Sequence, residues 1–388
     1  MNSVDKHLSA LLQAIRAEEK TQRERYKLDQ THSLKSLKAE GLAIHPISIT
    51  RKQFGYADYP EFSFRIPYTA ETNSFRDGCS ITCFCEGEES IKGVLMQLEG
   101  RQGEVRLYAP DFPDWLEDGQ TGIMLSPDDR TLQLMSDTLE QLPGDKIMYP
   151  LFQKIHGENS SLKELHLDDR ILPQVRIPLN ESQLQAVTAI QQNQEMVIVH
   201  GPPGTGKSTT LTAAIDVLVR EGKKVLVAAP SNTAVDHLAA KLLALDIRIV
   251  RVGNTGKVNE AIFPYTPEGK LSDPKIKKEI KALRIRADEF RRMALSYKRS
   301  FGKAEREQRN LLFKEVKQIR QEIRNLQQYH EDKLREEAQV ILGTPVALHD
   351  MKGKQEQKYD TLMIDEAGQC LEPLAWCIFP MAERYVLA

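Results

Sequence analysis

Val197-Ile198-Val199-His200-Gly201-Pro202-Pro203-Gly204-Thr205-Gly206-Lys207-Ser208-Thr209-Thr210 decides the reading of this 388-residue chain. A short apolar run leads into Gly-x-x-x-x-Gly-Lys-Ser, and a helical pattern follows from Thr209 to Leu218. Strand, glycine loop and helix in that order form the setting of a phosphate-binding loop. Glycines let successive backbone N–H groups turn inward on an anion. The helix start adds its positive end. The span Gly201, Pro202, Pro203, Gly204, Thr205, Gly206, Lys207, Ser208 and Thr209 is therefore the candidate nucleotide cradle. Lys207 is placed to reach the β- and γ-phosphates, and the Ser208 hydroxyl to ligate Mg²⁺.

The residues around the loop alternate strand and helix, as a parallel α/β sheet requires. Met196–Val199, Lys224–Ala229, Ile247–Val252, Gln339–Leu342 and Thr361–Ile364 are continuous apolar runs, and Arg384–Ala388 begins a sixth. Runs of that kind are buried on both faces. The fifth ends in Asp365-Glu366. Strand carboxyl ends form the ligand crevice of such sheets. Asp365 is thus a candidate to hold Mg²⁺, and Glu366 to orient and deprotonate an attacking water. Phosphoryl transfer depends mainly on such positioning and charge neutralisation.

Other stretches remain two-sided. Gln183, in Leu179-Asn180-Glu181-Ser182-Gln183, either reads an adenine through its amide or simply starts a helix. Ser231, Asn232 and Thr233, in Ala229–Asp236, suit phosphate or sugar contacts and equally suit helix capping. Thr344, after the fourth strand, carries the same ambiguity.

The net charge of the whole chain is -2, but the sign is unevenly spread. Residues 275–335 hold 19 Lys and Arg against 9 Asp and Glu. Such a local surplus suits either a polyanion or a solvated helical hairpin. Leu312, Val316, Ile319, Ile323 and Leu326 trace a heptad seam through that segment, and Ser300-Phe301-Gly302 is a candidate turn between two helices. Upstream, Val4–Lys38 reads as a long amphipathic helix with a stripe at Leu8, Leu11, Leu12 and Ile15. Phe62–Ile66, Ser80–Cys85, Gly93–Leu98, Glu104–Tyr108 and Gly122–Leu125 are short strands with turn signals between them, the pattern of a small barrel. Arg101, Arg106 and Tyr108 are its candidate strand-binding residues, with scaffold as the commoner role. Cys79, Cys83 and Cys85 are spaced poorly for zinc and read as reduced thiols. Met1–Lys20 is charged throughout and is no signal peptide, and no window is apolar for long enough to span a membrane, so a cytoplasmic protein is the expectation; a monomer is expected as well.

The ordered set Leu-Asn-x-Ser-Gln, Gly-Pro-Pro-Gly-Thr-Gly-Lys-Ser, Ala-Pro-Ser-Asn-Thr-Ala-Val-Asp and Asp-Glu-Ala-Gly-Gln resembles superfamily 1 helicases. The closest branch is that of the nonsense-mediated-decay RNA helicase and the immunoglobulin mu-binding helicase. The resemblance implies a stalk helix over 1–40, a β-barrel domain over 41–130, a return helix and linker over 131–178, and a RecA-like motor domain over 179–388 with a helical insertion at 254–337. It implies an ATPase that uses Mg²⁺ and moves 5′ to 3′ on single-stranded RNA or DNA. Gln183 would read adenine. Lys207, Asp365 and Glu366 would be catalytic, with Ser208 and Asp365 on the metal. Ser231, Asn232, Thr233 and Thr344 would touch the nucleic acid.

In the family a Gly-Asp-x-x-Gln-Leu-Pro motif and a second motor domain follow the point where this sequence reads Val386-Leu387-Ala388. A fragment of a longer protein with weak turnover is therefore expected. Two other readings stand beside the helicase. One is a strand-binding module in which nucleotide only gates affinity. The other is an unrelated phosphate-loop enzyme, which has no use for Ala229–Asp236 or for the barrel and hairpin.

Overall fold

Alternation of buried and exposed side chains builds the first sheet. In Phe62-Ser63-Phe64-Arg65-Ile66 the three apolar residues are fully buried and the two between them are not. The computed structural model describes residues 3–25, 33–55, 59–109, 111–117, 119–127, 129–157, 173–192, 195–253, 258–271, 274–295, 303–351 and 358–388. The expected turn at 300–302, residues 26–32 of the expected stalk, most of the linker at 160–178 and the first residues of the insertion lie outside them. The chain forms two compact units. One comprises Met1–Leu37, Leu125–Ile262 and Glu337–Ala388, and the other Lys38–Met124 and Phe263–Glu336.

The second of these units contains an antiparallel sheet of seven strands: β1 (Ala43–Ile44), β2 (Ser48–Phe54), β3 (Pro60–Arg65), β4 (Ser80–Phe84), β5 (Ile91–Glu99), β6 (Gln102–Leu107) and β7 (Gly122–Leu125). Their order is β1-β7-β4-β5-β6-β3-β2, open at β1 and β2. β1 and β2 carry none of the apolar alternation that revealed the other five. β2 is an almost wholly exposed edge strand, Ser-Ile-Thr-Arg-Lys-Gln-Phe, with a register shift between Ile49 and Arg51. Charge and irregularity of this kind protect an edge from adventitious pairing.

Residues 263–336 pack in the same unit as this sheet. Helices Pro274–Leu295 and Lys303–Glu337 meet along the heptad seam, with Ile319 and Ile323 against Ile280 and Ala287, and Leu283, Phe290 and Leu326 beside them. Part of the basic surplus is spent on structure. Arg320 and Arg291 both bond Asp111, Arg320 also lies over the Phe54 ring, and Arg284 donates to the Gly55 carbonyl. Arg106 is buried between Glu61 and Glu268. Arg101 is exposed and donates to Thr69, and Tyr108 is exposed against Tyr59.

The other unit holds a parallel sheet of six strands: β8 (Met196–Ile198), β9 (Val225–Ala228), β10 (Ile249–Arg251), β11 (Val340–Gly343), β12 (Tyr359–Ile364) and β13 (Ala382–Leu387). The order is β10-β11-β9-β12-β13-β8, with every printed ladder parallel. All six follow the apolar runs of the sequence. The N-terminal helix Ser3–Arg25 belongs to this unit and buries Val4, Leu8 and Ile15. Its His7 bonds Glu372. Burial acts to raise the Glu372 carboxyl, but hydrogen bonds from His156, Trp376 and His7 outweigh it and hold it at about 2. Among the described residues, no helix is long and apolar enough to cross a membrane.

Two predictions follow from the packing. Burial, with Cys85 close by, pushes the Cys83 thiol up to about 12. Since the thiolate is the reacting form, alkylation of Cys83 at pH 8 in the folded chain should be at least ~100-fold slower than in denaturant, read by peptide mass spectrometry. Ile323 is fully buried in the helical seam. Ile323→Ala should cost about 2–5 kcal/mol in denaturant unfolding of the unit that contains it.

Candidate nucleotide-binding site

The loop between β8 and helix Lys207–Arg220 is shaped by its glycines. Gly204 and Gly206 have φ of 84° and 87°, the left-handed region where a side chain is strained. At Gly206 a Cβ would also lie 2.5 Å from the Gln183 amide nitrogen. The turn is braced internally by Thr205, whose hydroxyl donates to the Pro202 carbonyl at 2.8 Å. Lys207 Nζ donates to the Gly201 carbonyl at 2.7 Å. The ammonium is thereby held over the loop rather than released to solvent.

The acids arrive from β12. Asp365 is only 3% exposed, and its Oδ2 accepts from the Ser208 hydroxyl at 3.0 Å. These two residues are 157 apart in the chain, yet they share one hydrogen bond. The acid-bearing strand is not the neighbour of the loop strand, because β13 lies between β8 and β12. The contact survives because helix Lys207–Arg220 begins at the carboxyl edge, where its first turn reaches across β13. Glu366 follows with φ 54° and ψ 39°. A non-glycine residue in that region costs on the order of 1–3 kcal/mol and persists only where its surroundings enforce it.

A cavity of about 520 Å³ joins these parts. Gly201, Pro203, Gly204, Gly206, Lys207, Ser208, Thr209, Asp365 and Glu366 line it, together with His200, Lys241, Gly368 and Gln369. Pro202 and Thr205 brace the loop and are not among the lining residues. The second group of four was missed by sequence reasoning. Gln369 belongs to a motif that was quoted but given no role. Lys241 lies near the end of helix Asn232–Leu243, with no local signal.

Gln183 stands behind the loop. It completes a capping box with Asn180, accepting from the Asn180 N–H at 3.0 Å, and its Nε2 donates to the Thr205 carbonyl at 3.1 Å. Helix start and loop contact are thus both present in one side chain.

Ser231, Asn232, Thr233 and Thr344 lie outside the cavity lining, beyond the carboxyl ends of the adjacent strands β9 and β11. Ser231 caps its helix, accepting from Ala234 N–H at 3.1 Å. The Asn232 side-chain oxygen accepts from Arg251 Nη2 at 2.6 Å. Arg251 is fully buried and also bonds Asp236 and the Val252 carbonyl. Burial lowers its pKa, against the raising effect of Asp236. Asp236 in turn accepts from the Asn259 N–H. Thr233 is exposed, and Thr344 is half-buried just before helix Pro345–Met351.

Known sequences match this arrangement. The model of the AAA domain family covers residues 178–388. The DNA-binding protein SMUBP-2 of Mus musculus is 26% identical over 412 residues, which takes in 100% of this chain and 40% of that protein. The DNA polymerase alpha-associated DNA helicase A of Schizosaccharomyces pombe is 28% identical over 78% of this chain and 45% of its own length. The ATP-dependent helicase NAM7 of Saccharomyces cerevisiae is 31% identical over 64% of the chain and 24% of its own length. The chain thus spans less than half the length of each of these relatives.

The Arg251 network yields a direct test. Arg251→Met leaves the Asp236 carboxylate buried without its partner, a change that costs about 3–5 kcal/mol. A fall of that size in equilibrium unfolding is expected, whereas Thr233→Ala, at an exposed position, should leave stability within about 0.5 kcal/mol.

Proposed function

Since the chain belongs to the superfamily 1 helicases, in the branch of the nonsense-mediated-decay and mu-binding helicases, we propose that it is the nucleotide-binding part of an ATP-driven motor that moves 5′ to 3′ along single-stranded RNA or DNA. The observation that carries this reading is the convergence of Lys207, Ser208, Asp365 and Glu366 on one cavity, with Ser208 and Asp365 already 3.0 Å apart.

The donor set fits Mg²⁺. A hydroxyl and a buried carboxylate are hard oxygen ligands of the kind Mg²⁺ takes alongside substrate phosphates and water. Ser208 and Asp365 would hold the ion, which when bound neutralises charge on the phosphates. Lys207 exchanges its loop carbonyls for phosphate oxygens. The loop N–H groups and the start of helix Lys207–Arg220 face the same anion. Glu366 accepts a proton from the attacking water, held at the cavity by its fixed backbone. Gln183 reads the adenine edge. Its amide retains a second N–H and a second lone pair after the bonds to Thr205 and Asn180, so base contact and loop contact can coexist. Ser231, Asn232, Thr233 and Thr344 face the strand from the same sheet edge. Ser231 does so mainly by capping the helix start, and Asn232 through its bond to Arg251.

No arginine lines the cavity among the described residues. Transition-state charge in phosphoryl transfer is commonly met by an arginine finger. We therefore expect these 388 residues to bind ATP with Mg²⁺ and to hydrolyse it slowly by themselves.

The test is a set of binding and turnover measurements with and without poly-uridine and poly-deoxythymidine. Lys207→Ala should abolish ATP binding. Glu366→Gln should keep binding and lower turnover by about 10²–10⁴-fold. Polynucleotide should stimulate hydrolysis in a chain extended through a second motor domain, and tailed duplexes on that chain would read the direction. Strand binding gated by ATP without turnover in either form would leave only the binding-module reading. Robust unwinding by the 388 residues alone would overturn the expectation of slow turnover.

A further inference from the structure

A second constellation lies on a different part of the parallel-sheet unit. His7 from helix Ser3–Arg25, His156 at the end of helix Met148–His156, and Glu372 at the start of helix Glu372–Ile378 converge from three distant segments. His7 Nε2 lies 3.0 Å from Glu372 Oε2, and His156 Nε2 lies 2.8 Å from Glu372 Oε1. One ligand atom from each of the three residues lies within 4.8 Å of the others, the one such group of histidine, cysteine or acid side chains among the described residues. We propose that His7, His156 and Glu372 form a binding site for a first-row divalent cation, zinc by its ligand chemistry, which fastens the N-terminal helix to the motor sheet.

The donor set argues for the class of ion. Two imidazole nitrogens and one carboxylate suit zinc, whereas Mg²⁺ and Ca²⁺ prefer oxygen alone. Tetrahedral zinc with bonds of about 2.0–2.1 Å separates its ligands by roughly 3.3 Å. The 3.0 and 2.8 Å separations run to different oxygens of Glu372, so a shared ion sits between the two imidazoles after a small turn of the carboxylate, and the three ligand atoms already lie within 4.8 Å of one another. The two imidazole rings lie against each other, 4.1 Å between centroids and 24° apart in plane.

The surroundings also fit. Trp376 Nε1 donates to Glu372 Oε1 at 3.0 Å and so orients the carboxylate from outside. Phe152 packs against His7, His156 and Trp376, closing one side with apolar surface. The three side chains keep 37%, 20% and 33% exposure, which leaves a way in for the ion and a place for water as fourth ligand. A hydrogen-bonded His–Glu–His arrangement without a cation uses these same atoms. Metal binding differs in displacing the proton from each coordinating nitrogen.

The experiment titrates the chelator-stripped 388-residue chain with zinc by calorimetry, in millimolar Mg²⁺ to occupy the phosphate-loop site. One equivalent at micromolar or tighter affinity is expected, with proton release and a rise in Tm. His7→Ala and Glu372→Gln should each abolish that equivalent. Trp376→Phe, which removes the orienting N–H, should weaken it by about 10–100-fold. Ser208→Ala should leave it unchanged. X-ray absorption should show a shell of nitrogen and oxygen only, which separates this site from the cysteines. His7→Asn, which retains a polar side chain, serves as a second variant if His7→Ala folds poorly. Retained ATP binding in the His7, Glu372 and Trp376 variants reports folding of the unit. Zinc held equally by the His7 and Glu372 variants, a sulfur-containing shell, or no binding at micromolar zinc would overturn the site.

Discussion

The hydrogen bond from the Ser208 hydroxyl to Asp365 fixes the geometry on which everything at the cavity depends. It joins the start of one helix to the end of a strand two places away in the sheet. Such a contact requires both to lie at the carboxyl edge, and only a parallel arrangement puts every strand end there. β13 supports this by pairing on both sides, to β12 through Ile364 and Leu387 and to β8 through Leu387 and Ile198. The short apolar strands therefore act as spacers. A one-residue slip in β13 would move Asp365 by about 3.3 Å relative to the loop and break the contact.

A second constraint holds the motif after β9. Arg251 is an end-of-strand guanidinium with no exposure, and it ties together Asn232, Asp236 and the Val252 carbonyl. Burying that charge is costly unless every donor finds a partner. Its value is positional, because it locks the helix start at Asn232 to the strand β10 and to the turn at Asn259. Asn232, one of the residues proposed to meet nucleic acid, is in this way held by a guanidinium that does not reach the surface. This explains why Asn and Asp stand in that motif where capping alone would accept several residue types.

Much of the parallel sheet was legible because its strands are continuous apolar runs, a signal contained within each segment. The cradle was legible because glycine conformations and a lysine at fixed spacing are also local. The strand order was not, since the insertion of β13 between β8 and β12 is decided by packing across the whole unit. β2 was hidden because an exposed edge strand has no apolar face to show. Lys241 at the cavity, and the meeting of His7, His156 and Glu372, depend on segments far apart in the chain, so no window of sequence contains them. Gln183 lies between these cases. Two readings competed, and the side chain carries out the capping role while also holding the loop.

The charge distribution shows how composition can mislead and still inform. The surplus over residues 275–335 reads as a polyanion surface only for those cations that remain outside. Arg320 and Arg335 are buried, and Arg291 is committed to Asp111 with Arg320, so these belong to packing. Lys275, Lys277, Lys278 and Lys281 are exposed on the first helix of the pair. Arginine suits the inward positions because its planar fork satisfies carboxylates and stacks on rings, as Arg320 does with Phe54. Lysine suits the outer face because its compact charge stays hydrated and meets phosphates as a point charge. The division is not complete, since Arg286, Arg292 and Arg306 are exposed as well, but the cations left outside the packing begin with the four lysines on the N-terminal half of helix Pro274–Leu295.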